Sequence, residues 1–358
     1  MNKSFFFNLS FLVFINLLVK PFYIFGIDRT IQNTVGAADY GIYLALFNFT
    51  FLFQIINDFG IQNYNNRNIA QHNQLFEKYF PNILVLKLLL ALGFSLVVFL
   101  VAWITGYLEN YAYILPFFIL NQILISLIFY LRSNISGLGH YKTDSLLSIS
   151  DRLQMIVICA ILLWWNPWGK TFQIEWLVYA QTFALSITAL IAFAICYSKL
   201  RFINYRFDKA FLWLILKKSY PYALMIFLMT ASSRIDVVMI ERLLADGDYH
   251  AGVYGAAYRL LDAANMIGFL FAGLLLPMFS RLLKHDRAAL PSLLRFSFQL
   301  IMAGVIPLAL ATYFYQNEIM TLLYDEANQY WAKVLGYLII SFIAMCTCLL
   351  YTSPSPRD

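Results

Sequence analysis

The 358-residue chain is 61% hydrophobic, 18% aromatic and only 12% charged, with a formal net charge of +6 and a mean hydropathy of +0.68. A soluble domain carries about 25% charged residues, so the composition excludes a soluble globular fold. The apolar residues come in blocks of roughly 20, the length of a membrane-spanning helix, and the alternating pattern of a membrane β-barrel is absent.

Ten such blocks predict an all-α polytopic membrane protein: about 5–27, 40–60, 81–106, 111–136, 146–166, 174–198, 218–240, 251–280, 293–317 and 333–351. The first follows Lys3 and superficially matches a secretory leader, with Val35-Gly36-Ala37-Ala38 beyond it. Its apolar run is too long for a leader and Asp28-Arg29 intervenes, so it is read as a retained helix. Late in this block Lys20 precedes Pro21. Lysine near a helix end can snorkel to the interface, whereas a proline kink opens backbone groups to a cavity. Both roles stay open for Lys20.

In the second block Thr50, Gln54 and Asn57 share one helical face by their i, i+4, i+7 spacing. Gln122, Ser126, Tyr130 and Ser133 repeat the stripe on the fourth, and Glu175, Thr182 and Ser186 on the sixth. A single stripe is ordinarily interhelical glue. Several suggest a shared hydrated interior facing a polar, hydroxyl-rich substrate. Asp151 and Arg152, in the first turns of the fifth block, lie near enough to a surface to be solvated or locally paired.

The seventh and eighth blocks carry Arg234, Asp236, Arg259 and Asp262. A charge near the bilayer centre costs about 2.5–3.5 kcal/mol on insertion scales, so such residues are usually functional. Arg259 and Asp262 are i, i+3 and share a face, so they can pair or serve one site. Arg234 and Asp236 lie about 200° apart around their helix and look different ways. A structural salt bridge locking the two helices is the alternative. Arginine, planar and always charged, suits anionic phosphoryl groups. Lys20, Arg234 and Arg259, with Gln54 and Gln122, are the candidate substrate-binding residues for a diphosphate head group. Asp236, Asp262 and Glu175 are the candidates for carrying a coupling proton or sodium ion.

Basic residues crowd one set of loops: Lys199, Arg201, Arg206, Lys209, Lys217 and Lys218, then Arg281, Lys284, Arg287 and Arg295, with Lys3, Arg67, Lys78, Arg132 and Lys142. The other side offers Arg29, Lys170, Arg242 and Lys333. The positive-inside rule makes the basic side, and the N-terminus, cytoplasmic. Topology alone accounts for the net charge, so no nucleic acid is expected as a partner. Trp103, Trp164, Trp165, Trp168, Trp176 and Trp331 fall at the opposite ends, and Trp213 at a basic end, as an interfacial aromatic belt. The four cysteines and four histidines show no metal or disulfide spacing. With no phosphate-binding GxxxxGK[ST] loop either, no cofactor, metal or ATP-hydrolysing activity is expected.

Tyr40-Gly41 opens the second block with Arg67 following, and Tyr254-Gly255 opens the eighth with Arg281 following at the same spacing. Copies six helices apart keep one orientation, which predicts two six-helix lobes as parallel repeats around a central cavity. The lobes would be residues 1–205 and 206–347, joined by the basic stretch 199–218, with ten spans present of an expected twelve or more. Residues 348–358 abandon the apolar pattern and are read as a non-native tail of a C-terminally truncated chain.

Arg234-Ile235-Asp236-Val237-Val238-Met239-Ile240, Gly252-Val253-Tyr254-Gly255-Ala256-Ala257-Tyr258-Arg259-Leu260 and Pro277-Met278-Phe279-Ser280-Arg281, with Asp58-Phe59-Gly60 and Arg67-Asn68-Ile69-Ala70 in the first lobe, form an ordered set. With these motifs the chain resembles polysaccharide-exporting flippases of the multidrug/oligosaccharidyl-lipid/polysaccharide exporter superfamily. The resemblance implies alternating access, an undecaprenyl-diphosphate-linked oligosaccharide of O-antigen or capsule type, and a bacterial cytoplasmic (inner) membrane location. It implies a lipid-linked glycan and membrane lipids as partners, with glycan polymerase and glycosyltransferases nearby, and no enzymatic activity. The alternatives are a peptidoglycan-precursor flippase, a cation-coupled drug exporter and, less favoured, a membrane glycan polymerase or ligase, which would need a larger external loop.

Overall fold

A computed structural model describes residues 16, 18–165, 169–200, 209–285 and 290–351, with backbone alone over 209–212, 267–281, 283–285 and 349–351. Among the described residues every regular element is helical. Seven helices are long and apolar enough to cross a membrane, or up to eight if the bent pair at Gly36 is one span. The start of the first expected span, the side chains of the second half of the eighth, and the tail from 352 onwards lie outside the described residues.

In chain order the first lobe comprises α1 (Leu18–Val35), α2 (Ala37–Leu52), α3 (Gln54–Asp58), α4 (Ile61–Gln71), α5 (Phe76–Ile104), α6 (Leu115–Gly137), α7 (Tyr141–Ala160) and α8 (Ile174–Ser198). The second comprises α9 (Lys209–Leu243), α10 (Gly247–His285), α11 (Leu290–Phe314), α12 (Gln316–Leu323) and α13 (Gln329–Tyr351). We call the end holding Arg67, Arg132 and Lys142 the basic end, and the end holding Gly36, Gly106 and Gly247 the far end.

Two departures from the sequence expectation matter for the site. The first helix does not stop near residue 27. It passes through a π turn over Tyr23–Asp28 and continues to Val35, where Gly36 (φ 86°) turns the chain by 119° into α2. Glycine adopts this positive φ at no steric cost. Asp28 is thereby held inside a helix and buried, at 2% exposure, rather than placed in a loop. The second span is also broken, at Phe53 and again at Phe59-Gly60, both left-handed (φ 50° and 70°).

The two Tyr-Gly motifs meet. α2 packs along α10, and the approach is so close that a Cβ on Gly252 would lie 1.9 Å from the Ala37 carbonyl oxygen. A Cβ on Gly41 would lie 1.8 Å from that of Asp248. Ala37, Gly41 and Ala45 on α2 and Gly252 and Ala256 on α10 form small-residue ridges, which bring membrane helices together by letting backbones touch. Gly252→Ala is therefore expected to force α2 and α10 apart and cost about 1–3 kcal/mol, the usual range for overpacking. A lowered unfolding temperature in detergent checks this, and an unchanged one would contradict the close crossing.

The tryptophan belt needs one correction. Trp103, Trp164, Trp165 and Trp213 are exposed, but Trp331 is buried at 1% and its indole donates to Tyr249 Oη at 2.9 Å. A hydrogen-bond partner in the second lobe's core outweighs the interface for this ring.

Candidate functional site: a cation-lined cavity between the lobes

At the far end the lobes are sealed by more than the glycine crossing. Arg29, on α1, donates its Nε–H to the Leu323 carbonyl, and Asn33 donates to the same oxygen at 3.0 Å, so first-lobe side chains cap the C-terminus of α12. In return the Glu326 carboxylate of the second lobe accepts the Ala37 N–H at 3.0 Å, at the N-terminus of α2. Cation at a helix C-terminus and carboxylate at an N-terminus are the favourable ends of the helix dipole. Each lobe thus terminates a helix of the other. Gln32 adds an amide donated to the Gly252 carbonyl at 3.1 Å.

Between this seal and the basic end lies a cavity of about 650 Å³. Near the seal it is lined by Tyr43, Gln181, Arg234 and Arg259, and towards the basic end by Lys20, Arg132, Ser148, Asp151 and Arg152. Each cation is placed differently. Arg132 pairs with Asp144 at 2.7 Å. Arg152 contacts Asp151 at 3.7 Å and lies over the Tyr23 ring, 4.8 Å from its centroid. Arg259 reaches across the lobes to Asp28, Nε to Oδ2 at 2.8 Å, and the same oxygen accepts the Tyr40 hydroxyl at 2.7 Å. Arg234 contacts Asn48 Oδ1 at 3.4 Å and sits 5.5 Å from the centroid of the Phe51 ring. Among the described residues no carboxylate forms an ion pair with Lys20 or Arg234. The lining therefore carries an excess of positive charge in a region of low dielectric, where an anion is attracted more strongly than in bulk water.

A family model for "Polysaccharide biosynthesis protein" matches residues 8–283. The chain belongs to this family. No curated protein matches it. Among solved structures, the chain is similar to the inward-facing conformation of a multidrug resistance MATE family transporter of the MOP superfamily. That likeness has TM-score 0.68 and 13% identity, over 96% of this chain and 84% of that one. It is also similar to a MOP superfamily transporter from Pyrococcus furiosus (TM-score 0.60, 14% identity, 97% and 79% covered). A third similar structure is the Vibrio cholerae MATE transporter VcmN in its bent form (TM-score 0.56, 15% identity, 97% and 84% covered). At such identities the likeness establishes the two-lobed helical fold.

Of the residues proposed from sequence to bind substrate, the fold brings Lys20, Arg234 and Arg259 to one cavity. It does not bring Gln54 or Gln122 there. Gln54 donates to the Gln122 carbonyl at 3.3 Å, Asn57 donates to that carbonyl at 3.0 Å, and Gln122 donates to Thr50 Oγ1 at 3.4 Å. The two polar stripes bond to one another inside the first lobe, so they are glue rather than a wall of the cavity. Thr182 and Ser186 on the third stripe bond to carbonyls of their own helix.

The acidic candidates separate too. Glu175 is at the far end, accepting from Tyr113 at 3.2 Å. Asp236 accepts from Tyr254 at 2.7 Å. Asp262 is half-buried within the electrostatic reach of Arg259 and Arg234 but forms no ion pair among the described residues. Of the two roles open to Arg259 and Asp262, pairing or serving one site, the ion pair is not formed: Arg259 pairs with Asp28, because α10 turns it towards the first lobe, where Asp28 sits inside the extended α1.

Sequence reasoning passed over Asp28 as a loop residue and did not single out Lys87. Lys87, 4% exposed on α5, pairs with Asp58 at the break in the second span and donates to Ser126 Oγ at 2.6 Å and to the Asn57 carbonyl at 3.3 Å. Its signal was available: a lone lysine inside an otherwise apolar block.

Proposed function

We infer that this protein is a transporter that moves an anionic, lipid-linked oligosaccharide across the membrane by alternating access, with an undecaprenyl-diphosphate-linked glycan of O-antigen or capsule type as cargo. The observation that carries this is the charge of the cavity wall, where Lys20 and Arg234 face the space between the lobes and form no ion pair with a carboxylate among the described residues. Guanidinium groups bind phosphoryl oxygens bidentately, and lysine adds a point charge. With the basic end cytoplasmic, as the loop charges favour, the sealed far end is external and the cavity faces the side where such a lipid is made.

A drug exporter for organic cations would be opposed by this wall, since bringing a cation to it repeats the sign already in excess. The Pyrococcus furiosus transporter, for which reverse polarity of the binding pocket is taken to suggest a different function, offers a parallel. A bacterial inner-membrane location, a cytoplasmic N-terminus and an acidic coupling group among Asp236, Asp262 and Glu175 belong to the same proposal.

The test reconstitutes the protein in vesicles containing a fluorescent polyprenyl-diphosphate oligosaccharide and measures how much becomes accessible to an external lectin. Accessibility that rises with protein supports the proposal. Equal exposure in protein-free vesicles, or export only of cationic dyes, would sink it.

A further inference from the structure

Arg259 is shared between two tasks that cannot both be complete. Its Nε contacts Asp28 of the opposite lobe at 2.8 Å, yet no acceptor is aligned with the Nε–H, and the side chain keeps 26% of its surface exposed where it lines the cavity. A guanidinium has five N–H donors, so the cavity side of Arg259 can accept an anion. Asp28 is 3% exposed and is held from its own lobe as well, because Tyr40 donates to the same Oδ2 at 2.7 Å. If Arg259 leaves, the carboxylate keeps the Tyr40 hydrogen bond but loses its counter-ion, so the exchange goes only where an anion in the cavity gains more from Arg259 than Asp28 loses. Arg259 and Arg234 also line the narrow crevice that runs between the lobes beside Tyr254 and Gly255 of the α2–α10 crossing. Among the described residues the one ion pair between the lobes therefore sits where cavity meets seal.

Building on the anionic cargo argued above, we propose that Asp28 is an internal competitor for Arg259: a diphosphate in the cavity takes Arg259 from Asp28, and loss of this cross-lobe pair releases the far-end seal. A ligand shifts a two-state equilibrium only by its difference in affinity for the two states. Here that difference is built in, because an anion gains Arg259 fully only when the lobes no longer share it. An empty cavity leaves the pair intact and the far end shut. Asp28 and Tyr40 are positioning residues in this scheme, acting on the cargo through Arg259.

The experiment uses the full chain with spin labels on cysteines introduced at Thr34 and Thr321, both exposed and on opposite lobes at the far end. Cys348 is replaced, and the other native cysteines are buried. Farnesyl diphosphate is the probe, farnesyl monophosphate the control, and both binding and the interlabel distance are read. The expected result is that farnesyl diphosphate binds and populates a longer distance. Asp28→Asn should populate that distance without ligand and tighten binding on the order of ten-fold, the signature of a removed competitor. Tyr40→Phe, a milder change, should shift the distances in the opposite sense to Asp28→Asn, because Asp28 then depends wholly on Arg259. A merely structural role for Asp28 would weaken binding instead. If farnesyl diphosphate binds but neither ligand nor Asp28→Asn moves the distance, the exchange is refuted while the anionic cavity stands. If it does not bind at all, the anionic cavity and the exchange fall together.

Discussion

Lys87→Met is expected to destabilise the first lobe by about 3–5 kcal/mol, the usual cost of leaving one member of a buried ion pair without its partner. Lys87 is 4% exposed and Asp58 13% exposed, and the ammonium also serves the Asn57 carbonyl and Ser126 hydroxyl. Removing it strands the Asp58 carboxylate at the break between α3 and α4, where Phe59 and Gly60 already occupy left-handed conformations, while the Ser126 hydroxyl and the Asn57 carbonyl keep their own hydrogen bond at 3.3 Å. The double change Lys87→Met with Asp58→Leu should recover most of the loss, because well-packed apolar replacements of buried ion pairs are often neutral. Thermal unfolding of both variants in detergent checks the contrast. A double variant as unstable as the single one would mean that the polar contacts, not the charge pair, hold this break.

Arg234→Glu should reduce affinity for a lipid diphosphate by at least about 10–100-fold, the equivalent of losing one charge-assisted hydrogen bond of about 1.5–3 kcal/mol. Arg234 is suited to such a decision because its partners are weak: Asn48 Oδ1 at 3.4 Å and the Phe51 ring. Its removal therefore disturbs the fold little. Arg234→Lys should fall between wild type and Arg234→Glu, since lysine keeps the charge but loses the planar fork. Equilibrium binding of farnesyl diphosphate and glycan export in vesicles are the two measurements. Affinity unaffected by Arg234→Glu would remove this residue from the site and leave Lys20 and Arg259 as its cationic core.

The two variants bear on different parts of the molecule. Lys87 lies outside the residues lining the cavity, so its loss should act through stability. Arg234 lines it, so its loss should act through binding at nearly unchanged stability. Each change can thus be separated from a general failure to fold.

The sequence by itself determined the class and the outline. Ten apolar blocks required helices, because backbone groups in hydrocarbon must be satisfied within the segment. From the paired Tyr-Gly motifs came the expectation of a duplication, and from intramembrane Arg234 and Arg259 that of a candidate site, since charges there are costly to keep. Spacing along one helix also showed that Arg234 and Asp236 diverge, and they do: one lines the cavity and the other accepts from Tyr254.

Only the tertiary structure decided which polar residues face one another. The stripes containing Gln54 and Gln122 have the same period whether they line water or bond across helices, and periodicity carries no information about what lies opposite. Arg259 had Asp262 as a local partner one turn away, but Asp28 became available only because a π turn carried α1 beyond its apolar block. The far-end seal is likewise invisible in the chain. Arg29 and Glu326 are nearly the whole length of the sequence apart, and each acts by capping a helix that belongs to the other lobe. Helix formation is local and can be read from composition and period. Pairing between helices depends on close backbone approach, here permitted at Gly41 and Gly252, and that is a property of two surfaces together.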